Sequence, residues 1–212
     1  LRRPRMLVGA GAMAAVCACL AGVETLGEAF KEEDIRTLLG KALTEEMPPD
    51  AGFSRTENLQ YAVQVCSYLE NACAGEKWPE MGESLLARYV RAILPAMTEY
   101  EQKNAALPRR LAFAVSALIM LYSGVRPDDQ GVYTLAGKDG SMPVLDRAEA
   151  LRAFSRLSCD MPCEALAYAA LSDCEIWGCD LREIEGLEEL ATEQLRDMQL
   201  LGVCEAMRKA SK

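Results

Sequence analysis

The stretch that decides the fold is residues 88–124, which read RYVRAILPAMTEYEQKNAALPRRLAFAVSALIMLYSG. Its first half predicts a helix, because Tyr89, Ile93 and Met97 recur at the spacing that places apolar side chains on one helix face. Pro95 interrupts this pattern, and proline cannot donate a hydrogen bond within a helix. We therefore expect the helix to kink or restart there.

The second half of the stretch predicts a central helix after a polar loop at residues 102–106. Pro108 stands where the first turn of a helix tolerates proline, and nearly every residue of 111–122 is apolar. A helix that is apolar on all sides is surrounded by other elements, and this one is too short for a membrane span. Gly124 is placed to end it in a left-handed conformation.

Length and composition favour one mainly α-helical domain. The chain has 212 residues, half of them hydrophobic, which is enough for a single core. Its net charge of −9 argues against nucleic-acid binding, which requires a basic surface. The chain contains no histidine, so it lacks the commonest metal ligand and the commonest general acid and base.

The nine cysteines predict reduced thiols in a cytoplasmic protein, because an odd number cannot pair within one chain. Cys159 and Cys163 are four residues apart, and Cys174 and Cys179 are five apart. Neither spacing is that of a zinc knuckle. We expect no metal site, and we interpret the cysteines as small apolar residues on helix faces.

The N-terminal segment admits three interpretations. Basic residues precede the apolar run 6–21, as in a signal peptide, and the sequence before Cys19 is similar to a lipoprotein cleavage site. The same run holds Gly9-Ala10-Gly11-Ala12-Met13-Ala14, which matches a dinucleotide-binding fingerprint. The third interpretation is a buried first helix of a helical domain.

The residues after the apolar run favour the third interpretation. A dinucleotide fingerprint needs a strand before it and another after its helix, whereas residues 24–47 are helical in pattern and strongly acidic. The many cysteines do not suit an exported protein. The chain begins with Leu1 rather than methionine, so we expect a fragment of a longer protein.

The segments that flank the central stretch predict further helices. Residues 32–47 form an amphipathic pattern that Pro48 and Pro49 should end. Ser54-Arg55-Thr56-Glu57 is a capping box, which opens a helix. The apolar stripe expected to be buried on that helix comprises Leu59, Ala62, Val63, Cys66 and Leu69.

After residue 124 the pattern changes. Residues 132–135 predict a short strand. Asp146 to Glu149 is a second capping signature for a helix over 148–157, and further helices are expected over 163–171 and 187–209. Arg109 and Arg110 at the start of the central helix are expected to be solvated.

Four segments carry a family resemblance: 20–29, 93–100, 107–122 and 176–187. They resemble the C-terminal domain of the tagaturonate reductases, also called altronate oxidoreductases, of the polyol-specific long-chain dehydrogenase family that includes mannitol dehydrogenase. The resemblance implies one multi-helical domain over 1–212, with at most a short β element near 132–135. It also implies that an N-terminal Rossmann domain, which binds most of the NAD, is absent from this chain, so no cofactor is expected for this chain alone.

The reaction of the resembled family is NAD-linked oxidation of a secondary alcohol in an open-chain sugar acid, without a metal. The resemblance implies a lysine as general base, with an asparagine and a histidine that stabilise the developing oxyanion. A lysine in a dry pocket can accept a proton near neutral pH, and neutral donors can then hold the alkoxide. In this sequence those three positions fall on Arg3, Val8 and Gly11.

Other polar positions of the family differ as well. An arginine and a histidine of a second motif fall on Gly75 and Glu76. A family lysine falls on Arg88, which keeps the positive charge, and a family arginine falls on Ala92, next to Arg91. A guanidinium does not give up its proton in proteins, so we expect no catalytic residue. Arg3 and Arg88 remain as candidate substrate-binding residues.

These observations support three hypotheses. The first is the C-terminal domain of a cytoplasmic, tagaturonate reductase-like oxidoreductase with impaired chemistry, whose partners are a sugar acid and its own Rossmann domain, with no nucleic acid or membrane. The second is an inactive binding or assembly module. The third is an exported helical lipoprotein whose mature form begins at Cys19.

Overall fold

The structure is a computed structural model that describes residues 3–47, 54–72, 84–137 and 140–212. It is mainly α-helical, which confirms the expected fold class. The α-helices are α1 (Arg3–Ala21), α2 (Leu26–Ala29), α3 (Glu33–Lys41), α4 (Arg55–Ala72), α5 (Leu85–Arg88), α6 (Leu94–Asn104), α7 (Arg109–Tyr122), α8 (Ala148–Phe154), α9 (Cys163–Ser172), α10 (Cys174–Trp177), α11 (Leu187–Leu201) and α12 (Val203–Ala210). Two π-helical turns, Ala42–Glu46 and Tyr89–Ile93, continue α3 and α5.

Helices α1 and α7 form the centre of the core. They pack against each other, and α11 and α12 also pack on α7. Every residue of α7 from 111 to 119 is buried, as the apolar sequence predicts. Burial of such a helix on all sides supplies most of the hydrophobic stabilisation of a helical domain. Within the described part of the chain, no helix is both long and apolar enough to cross a membrane.

The β element is a small antiparallel sheet of β1 (Arg126–Pro127), β2 (Tyr133–Gly137) and β3 (Gly140–Pro143), in that order. In its register Leu135 lies opposite Met142. Leu135 is buried and packs near Gly124 at the end of α7, so the sheet closes one end of the helical core. The strand expected at 132–135 is therefore present and belongs to a three-stranded sheet.

Pro95 restarts the helix where the sequence predicts. The second π-helical turn ends at Ile93, and Pro95 lies in the first turn of α6, where its missing N–H costs nothing. In the π turn Leu94 N–H donates to the carbonyl of Tyr89, five residues earlier, so the turn contains one residue more than an α-helical turn. The helical segment continues through this turn into α6. Helix α6 runs through residue 104, so most of the expected loop at 102–106 is helical, and Ala105 ends it with φ 48°.

The capping box at the start of α4 is confirmed. Ser54 N–H donates to Glu57 Oε2 at 2.7 Å, and Glu57 N–H donates to Ser54 Oγ at 3.2 Å. The expected buried stripe is only partly right, because Ala62 and Leu69 are buried but Leu59 and Val63 are 45% and 63% exposed. The buried face of α4 instead includes Val65, and α1, α2, α3 and the first π-helical turn contact this helix.

Three local predictions are wrong for identifiable reasons. Gly124 does not adopt a left-handed conformation, because α7 ends at Ser123 in the right-handed region. The last helix is not continuous, because Gly202, with φ 82° and ψ 161°, divides it into α11 and α12. Asp146 does not cap α8, whose N-cap residue Arg147 makes no side-chain cap hydrogen bond. Pro48, Pro49 and the motif at 73–76 lie outside the described residues.

The sequence position of Arg110 suggests a solvated side chain, but this prediction is wrong. Arg110 lies in a buried ion pair. Pro108 is the N-cap residue of α7 and provides no side-chain acceptor. Glu46 takes that role from 64 to 65 residues away in sequence: its Oε2 accepts from Arg110 N–H at 3.0 Å and Leu111 N–H at 2.9 Å. The guanidinium of Arg110 also binds Glu46 Oε1 at 3.0 Å. An anion at a helix N-terminus is favoured by the helix dipole.

We expect Glu46→Ala to lower the free energy of unfolding by about 2–4 kcal/mol, because it leaves two helix N–H groups and a guanidinium without their buried acceptor. The matched control is Glu45→Ala, which removes an exposed partner of the same Arg110 and should cost under about 1 kcal/mol. Urea titration monitored by circular dichroism measures both values. Equal losses for the two variants would contradict the assigned role of Glu46.

The same site predicts a pH dependence. Burial raises the pKa of Glu46 above its ordinary value of 4.5, against the opposing effect of hydrogen bonds from Arg110 and Leu111. The folded chain then binds this proton more tightly than the unfolded chain, so the contribution of Glu46 to stability falls as pH rises from 4.5 through the folded-state pKa. Glu46→Gln should flatten the dependence of the free energy of unfolding on pH in the range just above pH 4.5. An unchanged dependence would contradict the raised pKa of Glu46.

Candidate functional site

Helix α1 carries the positions at which the family resemblance places the reacting groups. Its residues from 12 to 18 are fully buried, and α7, the second π-helical turn, α3, α4 and α12 all contact it. Gly9 to Ala14 therefore lie inside a buried helix and not at a turn between a strand and a helix. This contradicts the interpretation of that motif as a dinucleotide fingerprint, since a phosphate needs the free N–H groups of a helix N-terminus.

Gly9 lies at a close packing contact. A Cβ atom at this position would lie 2.7 Å from Met47 Cε and 3.2 Å from Ile93 Cδ1, closer than side chains normally approach. Met47 follows the first π-helical turn and Ile93 ends the second. The small residue therefore lets Met47 and the second π-helical turn approach α1, and it explains one glycine of the motif without a nucleotide.

Arg5, in the first turn of α1, forms an ion pair. The guanidinium of Arg5 forms a bidentate ion pair with Glu99 of α6, at 2.8 and 2.6 Å. This contact raises the pKa of Arg5. The side chain of Arg3, two residues earlier, lies outside the described part of the structure. Substrate binding by Arg3 therefore stays a prediction. In the same turn of α1, the charge of Arg5 is already paired with that of Glu99.

Val8 and Gly11 occupy the middle of the same helix. Val8 is half-buried and Gly11 is buried. Neither residue has a side-chain donor, so neither can hydrogen-bond a developing oxyanion as an asparagine or a histidine would. The region around α1 thus retains its packing at the positions where the resemblance places polar groups.

The second candidate, Arg88, ends α5 and is half-buried. It precedes the second π-helical turn, and both elements pack against α1. The structure therefore brings the segment of Arg88 next to α1, as a shared site requires, and π-helical turns frequently occur at functional sites. Substrate binding by Arg88 itself stays a prediction.

Arg91 does not replace the family arginine that falls on Ala92. Ala92 is fully buried, whereas Arg91 is exposed. Successive residues on a helix point about 100° apart, so a side chain one position away lies on a different face. The charge at Arg91 is therefore directed away from the buried face of this segment.

Buried hydroxyl and thiol groups lie beside the candidate site. Tyr89 is fully buried, and its hydroxyl has no hydrogen-bond partner among the described residues. Burial raises the pKa of Tyr89 well above its ordinary value, and it raises the pKa of Cys17 to about 12. Both groups are thus held in the protonated form, so neither can act as a general base at neutral pH.

The side chain of Arg88 is suited to anion binding and not to proton abstraction. A guanidinium such as that of Arg88 can hold a carboxylate through two parallel hydrogen bonds but remains protonated. Among the described residues, no group of three or more histidine, cysteine, aspartate or glutamate side chains could hold a metal ion. The eight described cysteines are all free thiols.

Sequence reasoning missed two carboxylates that support this region, Glu46 and Asp146. Both accept backbone N–H groups of helices that lie about 60 residues away in the chain. No local pattern identifies such an acceptor, because its donors are remote in sequence. Pro108, an N-cap residue without a side-chain acceptor, was the one signal in the sequence that α7 needs an acceptor from elsewhere.

A surface cavity of about 550 Å³ lies between α3 and the last residues, away from these positions. Two of its cationic side chains already have partners: Arg208 binds Asp34 at 2.8 Å, and Lys41 Nζ donates to the carbonyl of Ser211 at 2.5 Å. Groups that already satisfy one another offer little to a ligand. We therefore assign no function to this cavity.

Comparison with known proteins gives relatives for nearly the whole chain. It is 30% identical to altronate oxidoreductase of Yersinia enterocolitica over 200 residues, which is 92% of this chain and 39% of the relative. It is also 30% identical to altronate oxidoreductase of Klebsiella pneumoniae strain 342 over 212 residues, which is 98% of this chain and 42% of the relative. The chain thus spans about two fifths of the length of these relatives. No family model matches it.

Solved structures share its fold. Pseudomonas fluorescens mannitol 2-dehydrogenase, in a ternary complex with NAD and D-mannitol, superimposes with a TM-score of 0.72 at 14% identity, over 98% of this chain and 40% of that protein. Substrate-free D-sorbitol dehydrogenase superimposes with a TM-score of 0.69 at 14% identity, over 97% of this chain and 40% of that protein. At this identity the likeness shows the fold alone.

We expect Cys17 to resist alkylation in the folded protein. With its pKa raised to about 12, a fraction on the order of 10⁻⁴ of this thiol is ionised at pH 8, and it is also fully buried. Iodoacetamide treatment followed by peptide mass spectrometry should modify the exposed Cys159 and Cys174 first. Labelling in urea is the control, and equal rates for Cys17 and Cys159 in the native protein would contradict the burial of α1.

Proposed function

We propose that this chain, which belongs to the altronate oxidoreductase family and corresponds to its C-terminal domain, binds an open-chain sugar acid but has lost most of the catalytic chemistry. The observation that carries the proposal is a largely buried α1 in which Val8 and Gly11 supply no polar side chain. The packing positions of a family fold are kept, whereas the polar positions implied by the resemblance are replaced.

Retained positive charge supports the binding part of the proposal. Sugar acids carry a carboxylate at neutral pH, and arginine is the side chain best suited to hold one, because its fork of N–H groups matches two oxygens. Arg88 lies at the end of α5, which packs against α1, and Arg3 begins α1. We assign substrate binding to these two residues.

Lost donors and the lost base support the impaired chemistry. Removal of one donor that stabilises an oxyanion typically lowers the rate by about 10²–10³. At the position of the base, Arg3 cannot accept a proton from the alcohol. At the donor positions, Val8 and Gly11 cannot hold the alkoxide that would form. Combined, these replacements leave this chain with positioning of the substrate as its remaining role.

The dinucleotide belongs to another part of the proposed protein. NAD would supply the hydride acceptor, but Gly9 to Ala14 do not fit it, because they are buried within α1 and present no free N–H groups. Because the chain spans about two fifths of its relatives, we propose that an N-terminal Rossmann domain outside this chain binds NAD and is its partner. A cytoplasmic location is part of the same proposal.

A binding or assembly module without turnover is the second candidate. The same observation favours it, because arginines at two family lysine positions keep a positive charge for binding but cannot act as the base for oxidation. Binding of a sugar acid without NAD-linked turnover would identify this case. The exported-lipoprotein hypothesis is weaker, because a mature chain that begins at Cys19 would lack most of α1, whose side chains fill the core.

We expect Arg88→Ala to weaken D-altronate binding by the full-length protein at least about tenfold, because one charge-assisted contact is worth roughly 1.5–3 kcal/mol. Isothermal titration calorimetry measures the dissociation constant. Arg88→Lys should retain part of the affinity through its charge. The control is Arg156→Ala, an exposed arginine that should leave binding unchanged. Equal affinities for the wild type and the Arg88→Ala variant would refute the assignment of Arg88.

We also expect the unmodified full-length protein to reduce NAD negligibly with D-altronate, as followed by absorbance of NADH. Joint substitution of Arg3→Lys, Val8→Asn and Gly11→His should raise the rate. Because Gly11 is buried, circular dichroism must first show that the triple variant folds, and the Arg3→Lys, Val8→Asn pair provides a variant with less steric demand. Robust turnover by the unmodified protein would refute the impaired chemistry.

A further inference from the structure

Asp146 joins three distant parts of the chain beside the candidate site. It lies between β3 and α8, and its Oδ2 accepts hydrogen bonds from Leu86 N–H at 3.1 Å and from Tyr122 Oη at 2.7 Å. Leu86 belongs to α5 and Tyr122 ends α7. One carboxylate oxygen therefore ties the helix that carries Arg88 to the central helix of the core.

The bond to Leu86 holds the first turn of the segment that contains Arg88. The N–H groups of a first helical turn have no acceptor within the helix. In α5, Ser84 Oγ accepts from Ala87 N–H at 3.1 Å, and Asp146 accepts from Leu86 N–H. Arg88 follows Leu86 by two residues, so its backbone position depends on a turn that these two side chains cap. A carboxylate is the stronger acceptor of the two.

The bond to Tyr122 makes this cap rigid. Tyr122 is buried, and its ring packs edge-on against Phe154 with centroids 5.2 Å apart. Phe154 in turn packs edge-on against Trp177, whose indole N–H donates to the carbonyl of Ala170 at 2.7 Å. The phenol that holds Asp146 is thus fixed by an aromatic cluster in the core. Side chains locked in this way are what a binding residue needs behind it.

We infer that Asp146 is a positioning residue, which holds the first turn of α5 on α7 and thereby places Arg88 for a sugar-acid carboxylate. The identity of the ligand in this inference rests on the proposed function, but the positioning of Arg88 can be observed without ligand. The position of Asp146 just before α8 is typical of a cap for that helix, whereas its hydrogen bond from Leu86 supports α5.

The first measurement needs no ligand. In the full-length protein, Asp146→Ala should raise amide hydrogen exchange over residues 85–93, because Leu86 N–H and Tyr122 O–H lose their acceptor. Asp146→Asn keeps an acceptor oxygen and should restore most of the protection. The matched control is Ser116→Ala, which removes a different buried hydroxyl of α7, one that donates to Gln194 Oε1 at 2.9 Å on α11. That control should leave exchange over 85–93 unchanged.

The second measurement tests whether Asp146 acts through Arg88. We expect Asp146→Ala to raise the dissociation constant for D-altronate on the order of tenfold, since a small misplacement of a binding group has effects of this size. In an Arg88→Ala background the same substitution should change it less than about twofold, because coupled residues are not additive. A purely structural role would give the same fold-change in both backgrounds.

The outcomes separate the inference from the proposed function. Unchanged exchange over residues 85–93 in Asp146→Ala, or multiplicative effects of the two substitutions, would overturn the positioning role. If the wild type binds no D-altronate while exchange in Asp146→Ala rises locally, the proposed function fails and the support of Arg88 by Asp146 stands. Raised exchange over residues 85–93, together with non-additive effects of the two substitutions on D-altronate binding, supports both the positioning role and the proposed function.

Discussion

Close packing around helix α1 is the constraint on which the rest of the structure depends. At Gly9 a single additional carbon would lie 2.7 Å from Met47 Cε, and residues 12–18 are completely buried. Small side chains at this contact let Met47 and the second π-helical turn lie close to α1 while α7 packs on it as well. The interior is close-packed, so each of these elements holds the others in place.

Two carboxylates from remote segments complete this arrangement. Glu46 accepts N–H groups at the start of α7, and Asp146 accepts one at the start of α5. Each satisfies buried donors that would otherwise destabilise the fold. The apolar contacts determine which elements meet, and these polar contacts determine how the helix starts are aligned. Arg88 lies two residues after one such alignment point.

This division explains how a family fold can persist while its chemistry changes. Packing positions such as Gly9 and Ile93 lie in the core, so a larger side chain at Gly9 would require Met47 and Ile93 to shift. Polar groups of a reaction centre contribute little to packing and can be exchanged for Val8 or Gly11 without loss of the core. Arg3 and Arg88 keep a positive charge at two family lysine positions, and the proposed binding of a sugar acid depends on that charge.

The sequence by itself determined the central helices, the restart at Pro95, the capping box at Ser54 and the family, because these depend on local periodicity and on neighbours within four residues. The tertiary structure alone decided which face of α4 is buried, the break at Gly202 and the partners of Arg110 and Asp146. Those features depend on contacts between residues that are far apart in the chain, and no local pattern encodes the distance between them.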